Sequence, residues 1–239
     1  MHCSPPHPLG HSSSGQQHLK DCGTYENPIL NNSTIYKIGA WNLNGFNCAT
    51  YPENTIFKCN VINSLALDVI FLSETFCKNN DTFSVPNYKI IQFNRSTISR
   101  RSVRGSGGCA IAISNKLLSN HSILSIHKGR QDGILAIKLK CTDNDAIIGL
   151  LSNYLPPDNY FYGKDPESFF QDNSLVFMDL LQDCDLVVSG GDINARTRND
   201  LDYIPDVDNH VTPRNNPDQD KNQHGNHFLQ FLKDNRALI

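Results

Sequence analysis

Runs of apolar residues separated by short polar segments predict that most of the chain from Ile35 onward is built of strands. The predicted strands lie at residues 35–43, 68–72, 88–93, 109–114, 122–127, 134–140, 146–154 and 184–192. Those between residues 88 and 154 have no helical pattern between them, which indicates antiparallel pairing and not a purely parallel sheet. The short apolar run at 68–72 is typical of a strand buried on both faces.

Three other segments have helical periodicity. The first runs from Pro52 to Leu65, and its predicted buried stripe consists of Phe57, Val61 and Leu65 with Ile62 beside them. The second starts with Asp165 as N-cap and Pro166 in the first turn, and its predicted apolar face consists of Phe170, Phe177 and Leu181. The third follows a polar loop that ends near Gln223, and it carries Phe228, Phe231 and Leu232.

The length of 239 residues fits one well-filled domain with a tail. Residues 1–33 are rich in His, Ser, Pro, Gly and Gln and lack apolar periodicity, so we expect a disordered low-complexity tail before a domain at 34–239. The histidines and cysteines of this tail match no structural zinc spacing.

Charge and cysteine usage narrow the function classes only slightly. A formal net charge of −3 provides no overall basic field, so an anionic partner would have to meet a local basic patch or a metal ion. The scattered cysteines favour reduced, buried thiols. No segment has the pattern of a signal peptide or the length of a membrane span, which predicts an intracellular, soluble protein in the nucleus or cytoplasm.

Polar side chains follow four of the predicted strands at the point where each strand ends. These side chains are Asn42, Asn44, Glu74, Tyr154, Asp192 and Asn194. Each of them alone can be explained as a turn residue, a solvated strand exit or a core tyrosine. Together they supply the oxygen ligands that a hard cation needs and the amide and phenol donors that a phosphate needs.

The order of these motifs resembles that of the endonuclease/exonuclease/phosphatase superfamily, which includes apurinic endonucleases and pancreatic-type deoxyribonucleases. The matching segments are Asn42-Leu-Asn-Gly45, Ser73-Glu-Thr75, Tyr154-Leu-Pro156 and Gly191-Asp-Ile-Asn194. Residues 104–114 and 222–232 are most similar to the endonuclease domains of LINE-type retrotransposons. The resemblance covers residues 35–239 and implies an α/β fold of two mixed, mostly antiparallel sheets with flanking helices.

The resemblance also implies a metal site. Glu74 is expected to ligate Mg²⁺ or Mn²⁺, with Asn44 near the metal at a position where many relatives have aspartate. Hydrolysis of a phosphodiester requires charge neutralisation at the phosphate oxygens, and a divalent cation supplies it directly.

The remaining motif residues are expected to contact the phosphate or the attacking water. By resemblance, Asn42 and Asn194 hold the scissile phosphate, and Tyr154 donates a hydrogen bond to one of its oxygens. Asp192 orients or deprotonates the water. These four residues form the predicted catalytic set.

A loop rich in arginine follows the predicted strand at 88–93. Arg95, Arg100, Arg101 and Arg104 are candidates for contacts with the DNA backbone. The same residues also fit a solvated loop that has no ligand. Sequence alone leaves both interpretations open.

The superfamily pattern continues beyond the last helix with an aspartate and then an Asp-His element, whereas this sequence ends at Ile239. The resemblance therefore implies a domain that lacks its last strands. The late histidines, His210, His224 and His227, do not follow aspartate in a Ser-Asp-His setting. We expect His224 and His227 to be exposed capping residues near a helix start.

These patterns lead to one main hypothesis and two alternatives. The main hypothesis is an Mg²⁺-dependent DNA endonuclease of retrotransposon type, monomeric and part of a longer protein with a reverse transcriptase domain, whose activity depends on the missing Asp-His element. One alternative is a non-catalytic fragment that at most binds metal or nucleic acid. The other is a phosphatase of the same superfamily.

Overall fold

The computed structural model describes residues 35–46, 52–78, 80–96, 98, 105–205, 207–208, 211 and 215–237. The predicted tail at 1–33 lies outside these residues, as do Arg100, Arg101, Arg104 and His210. The predictions for those positions stay predictions.

Two sheets of four strands form the centre of the described structure. Sheet A has the order β1-β2-β4-β3 and consists of β1 (Ile38–Asn42), β2 (Val69–Ser73), β3 (Tyr88–Phe93) and β4 (Cys109–Ser114). Sheet B has the order β5-β6-β7-β8 and consists of β5 (His121–Lys128), β6 (Ile134–Cys141), β7 (Ile147–Tyr154) and β8 (Leu186–Asp192). The predicted pair of mixed, mostly antiparallel sheets is confirmed.

Each sheet has one parallel pair, because a helix connects its two strands. The helix α1 (Pro52–Leu65) connects β1 to the parallel strand β2, and α2 (Pro166–Asp183) connects β7 to the parallel strand β8. A helical crossover returns the chain to the same edge of the sheet, whereas short turns give antiparallel neighbours. The last helix, α3 (Gln223–Asn235), packs on α2.

The sheets pack face to face over a shared apolar layer. Phe71 of β2 and Ile111 of β4 contribute from sheet A, and Leu135 and Leu150 contribute from sheet B; each is at most 1% exposed. The outer face of sheet A is covered by α1, and the outer face of sheet B is covered by α2 and α3. Strand β2 is buried on both faces, as its composition predicts.

The helix boundaries were predicted better than the buried faces. The predicted stripe of α1 is wrong, because Phe57 is 63% and Leu65 is 49% exposed, while Ile62 is fully buried against sheet A. In α2, Phe170 and Phe177 are buried as expected, but Leu181 is 45% exposed. Among the described residues, no helix combines the length and the apolar character needed to cross a membrane.

The N-cap of α2 and the burial of three of the described cysteines agree with the sequence predictions, whereas Cys59 and Cys184 are partly exposed. The Asp165 side chain accepts a hydrogen bond from the Ser168 amide at 3.1 Å, which confirms the predicted N-cap of α2. The described cysteines are all free. Burial raises the pKa of the Cys109 thiol to about 12, so we expect this thiol to be unreactive in the native protein.

His121, at the start of β5, is a buried histidine with a polar partner at each ring nitrogen. Its Nδ1 lies 2.8 Å from Asn120 Oδ1 and 3.2 Å from the Leu117 carbonyl, and its Nε2 lies 3.2 Å from the Tyr36 hydroxyl. Burial lowers the pKa of His121, and the Leu117 carbonyl opposes this shift. The folded protein therefore binds this proton less readily than the unfolded chain does.

We expect His121 to contribute to the loss of stability at mildly acidic pH. Its contribution is present above the unfolded pKa of about 6.5 and is lost as the pH falls from there through the lowered folded pKa. The measurement is the free energy of unfolding in urea between pH 7.5 and pH 5. His121→Gln should flatten this dependence, whereas the control His127→Gln, at an exposed position of the same strand, should not. Equal slopes in all three proteins would contradict the assignment.

Candidate active site

The carboxyl ends of four strands meet at one edge of the two sheets. In the parallel pair β1 and β2, Asn42 lies opposite Ser73, which directly precedes Glu74. In the parallel pair β7 and β8, Tyr154 lies opposite Asp192. Because parallel neighbours end at the same sheet edge, each sheet presents two of the predicted side chains together.

Two hydrogen bonds then join the sheets at this edge. Asn42 Nδ2 of sheet A donates to Asp192 Oδ2 of sheet B at 2.8 Å. The Tyr154 hydroxyl of sheet B donates to Glu74 Oε1 of sheet A at 3.2 Å. Residues 150 and 80 positions apart in sequence are thus brought into one cluster, which we call the strand-end cluster: Asn42, Asn44, Glu74, Tyr154, Asp192 and Asn194.

A chain of donors and acceptors fixes the orientation of the Asp192 carboxylate. The backbone N–H of Asn44 donates to Asn42 Oδ1 at 3.0 Å. This bond orients the Asn42 side chain so that its Nδ2 faces Asp192. The other carboxylate oxygen, Asp192 Oδ1, accepts a hydrogen bond from the backbone N–H of Asn194 at 3.1 Å. Both carboxylate oxygens of Asp192 therefore accept a hydrogen bond. A carboxylate can do this because each of its two oxygens is an acceptor.

Three residues of the cluster have left-handed backbone conformations. The φ angles are 46° at Asn44, 52° at Glu74 and 50° at Asn194, each just after a strand ends. Such angles are uncommon outside glycine, but six described residues outside the cluster adopt them too, so here they mark tight strand exits and do not by themselves identify a functional site. The loops that contain Asn44 and Glu74 continue the pairing of their strands, since the Leu43 amide donates to the Ser73 carbonyl at 2.9 Å and the Phe46 amide to the Thr75 carbonyl at 2.8 Å.

Lys58 of α1 supports the loop after β1, and the sequence analysis missed it. Its ammonium donates to the carbonyls of Leu43 and Gly45, the residues that flank Asn44. Burial lowers the pKa of Lys58. The sequence pattern does not distinguish this inward-facing lysine, because the face of α1 that packs on sheet A is known only from the burial of Ile62 in the structure.

Two glycines near the end of β8 allow this strand to reach the cluster. A Cβ on Gly190 would lie 2.3 Å from a ring carbon of Phe71, so the small residue permits the close approach of the sheets. Gly191 has a φ of +133°, and a Cβ there would lie 2.0 Å from the Asn153 carbonyl oxygen. Asp192 then follows directly.

Gly191→Ala is expected to lower the free energy of unfolding by about 2–4 kcal/mol, because backbone strain and overpacking both contribute. Gly39→Ala in β1 is the matched control, since its Cβ would meet only the terminal Leu67 Cδ1 at 2.7 Å and its φ is ordinary. The control should lose about 1 kcal/mol or less. Urea denaturation of both variants gives the comparison, and an equal loss would show that the Gly191 backbone is not special.

Tyr154 has the most perturbed environment in the cluster. It is 4% exposed, and burial raises the pKa of its phenol, with the negative charges of Glu74 and Asp192 acting in the same direction. The Arg95 guanidinium opposes this shift. The phenol is therefore a neutral hydrogen-bond donor at physiological pH.

Asn194 has a structural hydrogen bond, and the prediction for His224 is wrong. Asn194 Nδ2 donates to the Leu155 carbonyl at 2.9 Å, so part of its amide connects β8 to the end of β7. His224 is not an exposed capping residue: it is fully buried, and its Nε2 lies 2.8 Å from the Gly163 carbonyl oxygen. Asn222 is the N-cap of α3 instead, because its short side chain accepts from the Gly225 amide at 2.9 Å. His227 is half-buried beside the ring of Phe170.

Arg95 is also not a solvated loop residue. Its side chain is 4% exposed, Nη1 donates to Ser106 Oγ at 3.3 Å, and Nε lies 3.9 Å from Asp132 Oδ2. Burial of this kind places the guanidinium inside the fold near the cluster. The three other arginines of the predicted DNA-binding loop lie outside the described residues.

The donor set of the cluster fits a hard divalent cation. Glu74 and Asp192 supply carboxylates, and the loop that contains Asn44 lies beside Glu74, since the Gly45 backbone N–H donates to the Glu74 carbonyl at 2.6 Å. Within the described part of the chain, no group of three or more His, Cys, Asp or Glu side chains is arranged to hold a metal. Mg²⁺ sites in proteins commonly use one or two carboxylates and complete the coordination shell with water and substrate.

No protein-family model and no curated protein matches this sequence. Some solved structures are similar to it. The catalytic domain of Xenopus laevis APE2 is 18% identical with a TM-score of 0.50, over 68% of this chain and 59% of that one. AP endonuclease LMAP from Leishmania major is 16% identical with a TM-score of 0.49, over 62% and 50%. The human Nocturnin catalytic domain with bound sulfate is 16% identical with a TM-score of 0.49, over 65% and 63%.

The likeness to the APE2 domain shows a common fold, since an identity of 18% goes no further. The chain spans between 50% and 63% of the lengths of these three solved chains. Function must therefore be argued from the strand-end cluster itself.

Proposed function

We propose that this chain hydrolyses phosphodiester bonds of DNA with Mg²⁺ or Mn²⁺, as an endonuclease of retrotransposon type. The observation that carries the proposal is the pair of hydrogen bonds that join the sheets, Asn42 to Asp192 and Tyr154 to Glu74. They bring carboxylates, amides and a phenol to one edge, which is the set of groups that phosphodiester hydrolysis requires. The fold shared with the APE2 catalytic domain is consistent with this function.

Asp192 is the general base in this proposal. Its two oxygens are fixed by Asn42 and Asn194, and a carboxylate that accepts two hydrogen bonds still has lone pairs available for a water. A base held in one orientation can align a water for in-line attack and accept its proton. Asn42 and Asn194, which flank Asp192, are assigned to the phosphate.

Tyr154 and Glu74 serve the phosphate and the metal. The neutral phenol of Tyr154 can transfer its hydrogen bond from Glu74 to a phosphate oxygen when substrate binds. Glu74 and Asn44 would hold Mg²⁺ or Mn²⁺, which neutralises charge on the phosphate and stabilises the leaving oxygen when it is bound.

We also propose the oligomeric state, the cellular location and the parent protein of this chain. The chain acts as a monomer inside the cell and belongs to a longer protein that carries a reverse transcriptase domain. The resemblance of residues 104–114 and 222–232 to retrotransposon endonucleases supports this setting.

The test is a substrate panel incubated with Mg²⁺, with Mn²⁺ or with excess EDTA. The panel contains supercoiled plasmid, a duplex with an abasic site, and a phosphomonoester. We expect plasmid nicking with either metal and none with EDTA. Hydrolysis of the phosphomonoester alone would support the phosphatase alternative. A chain extended through an Asp-His segment belongs in the panel, and inactivity of both chains on every substrate would support the non-catalytic alternative.

A further inference from the structure

Arg95 lies beside the strand-end cluster, and its burial fits neither of the two interpretations that its sequence left open, a contact with the DNA backbone or a solvated loop. It follows β3 by two residues, and its side chain is 4% exposed. Burying a guanidinium is costly unless nearby groups compensate its charge. The groups that surround Arg95 therefore indicate what this residue does.

The guanidinium and the ring of Tyr154 approach the same glycine. A Cβ on Gly107 would lie 2.8 Å from Arg95 Nη2 and 3.0 Å from Tyr154 Cε1. Gly107 has a φ of +63°, a conformation in which glycine is unstrained. Only a residue without a side chain fits here, so the arginine and the tyrosine share the space that a side chain would fill.

The arginine is held in place from its other side. Nη1 donates to Ser106 Oγ at 3.3 Å, and Nε lies 3.9 Å from Asp132 in the turn between β5 and β6. That turn is itself fixed, because Asp172 of α2 accepts from the Gln131 amide at 2.8 Å. Because Arg95 is anchored in this way, it can restrict the position of the Tyr154 ring.

Charge at Tyr154 supports the same interpretation. The Tyr154 hydroxyl donates to Glu74 and its neighbour on β8 is Asp192, so the guanidinium of Arg95, which shares the space beside Gly107, brings a positive charge close to two carboxylates. Without this cation, the buried phenol would face uncompensated negative charge on one side.

We propose that Arg95 is a positioning residue for the reaction: it holds the ring of Tyr154 against Gly107 and keeps the phenol directed at Glu74 and the phosphate. This role rests on the proposed function of the cluster. It also reassigns Arg95, since a positioning residue acts through Tyr154 and makes no contact with DNA. The effect on catalysis should therefore disappear when Tyr154 has no hydroxyl.

The kinetic test uses Arg95→Met, Arg95→Lys, Tyr154→Phe and the double variant Arg95→Met/Tyr154→Phe. Plasmid nicking at saturating Mg²⁺ should fall about 10–100-fold in kcat for Arg95→Met, with KM changed less than about twofold, as expected for a misplaced group. Arg95→Lys should recover part of this loss. The double variant should be no slower than Tyr154→Phe alone.

The matched control is Arg130→Met, at an exposed arginine near Asp132 in the same turn. It should retain the kcat and KM of the unchanged protein. A rise in KM for Arg95→Met at unchanged kcat would overturn the proposal in favour of a DNA contact. Additive losses in the double variant would also overturn it.

A second arm does not depend on activity. The full chain is labelled with 3-fluorotyrosine, and the ¹⁹F resonance of Tyr154 is assigned from its absence in Tyr154→Phe. Arg95→Met, or Arg95→Lys if the methionine variant does not fold, should shift or broaden this resonance, and Arg130→Met should not. An unmoved resonance overturns the positioning role. If the unchanged protein is inactive while the resonance moves, the proposed function fails and the Arg95 contact stands.

Discussion

Replacing Asp192 with asparagine is expected to lower the rate constant for DNA nicking by about 10³-fold, within the range that a general base contributes. The substitution keeps the shape of the side chain and removes its charge. It also breaks the donor and acceptor chain, because an amide has only one oxygen, whereas Asn42 Nδ2 and the Asn194 amide both need an acceptor. The Asn42 side-chain amide cannot flip to offer its oxygen instead, because its Oδ1 would then lose the hydrogen bond from the Asn44 backbone N–H.

The measurement is single-turnover nicking of supercoiled plasmid with a preparation checked for contaminating nuclease. Asp185→Asn is the matched control, because Asp185 stands next to the other end of β8 and its Oδ2 accepts from the Ile147 amide at 2.8 Å. We expect the control to keep the rate of the unchanged protein. A loss of less than tenfold for Asp192→Asn would remove this residue from the role of base.

Replacing Glu74 with glutamine is expected to weaken Mn²⁺ binding by about 100-fold or more and to lower the nicking rate by two to three orders of magnitude, as the loss of a ligand to a catalytic metal implies. Glutamine can still accept the hydrogen bond from Tyr154, which Glu74 Oε1 accepts at 3.2 Å. The substitution thus tests the charge and leaves this contact in place. Loss of the charge reduces the electrostatic attraction for the cation.

Calorimetric titration with Mn²⁺ measures the affinity, and the nicking assay at high Mg²⁺ measures the rate. Glu167→Gln, near the start of α2, is the control. The Glu167 side chain is exposed, and it accepts a hydrogen bond from Gln171, one helical turn later, at 3.2 Å. Unchanged Mn²⁺ affinity in Glu74→Gln would place the metal elsewhere.

The convergence of the cluster could be predicted from sequence for a physical reason. Both β1 to β2 and β7 to β8 are joined through helices, so the residues that follow them reach a common edge. The two glycines before Asp192 were visible signals as well. Their functions are separate: Gly190 admits Phe71 between the sheets, and Gly191 provides the positive φ.

The supporting residues could not be predicted, because their roles depend on partners that are distant in sequence. The helical pattern of α1 fits two adjacent faces, and only packing on sheet A selects Ile62 over Phe57. Arg95 and His224 carry polar side chains, yet both residues are buried against partners that are distant in sequence. Arg95 contacts Asp132, and His224 contacts the Gly163 carbonyl. A polar residue is buried only where the fold supplies compensating groups, which sequence spacing does not show.

Anomalous scattering from crystals soaked in Mn²⁺ shows whether the strand-end cluster holds a divalent cation. If Glu74 is a metal ligand, as proposed, an anomalous peak should lie at its carboxylate and should be absent from crystals of Glu74→Gln. A Mn²⁺ peak located away from Glu74, or one that persists in Glu74→Gln, would show that the cluster is not the metal site.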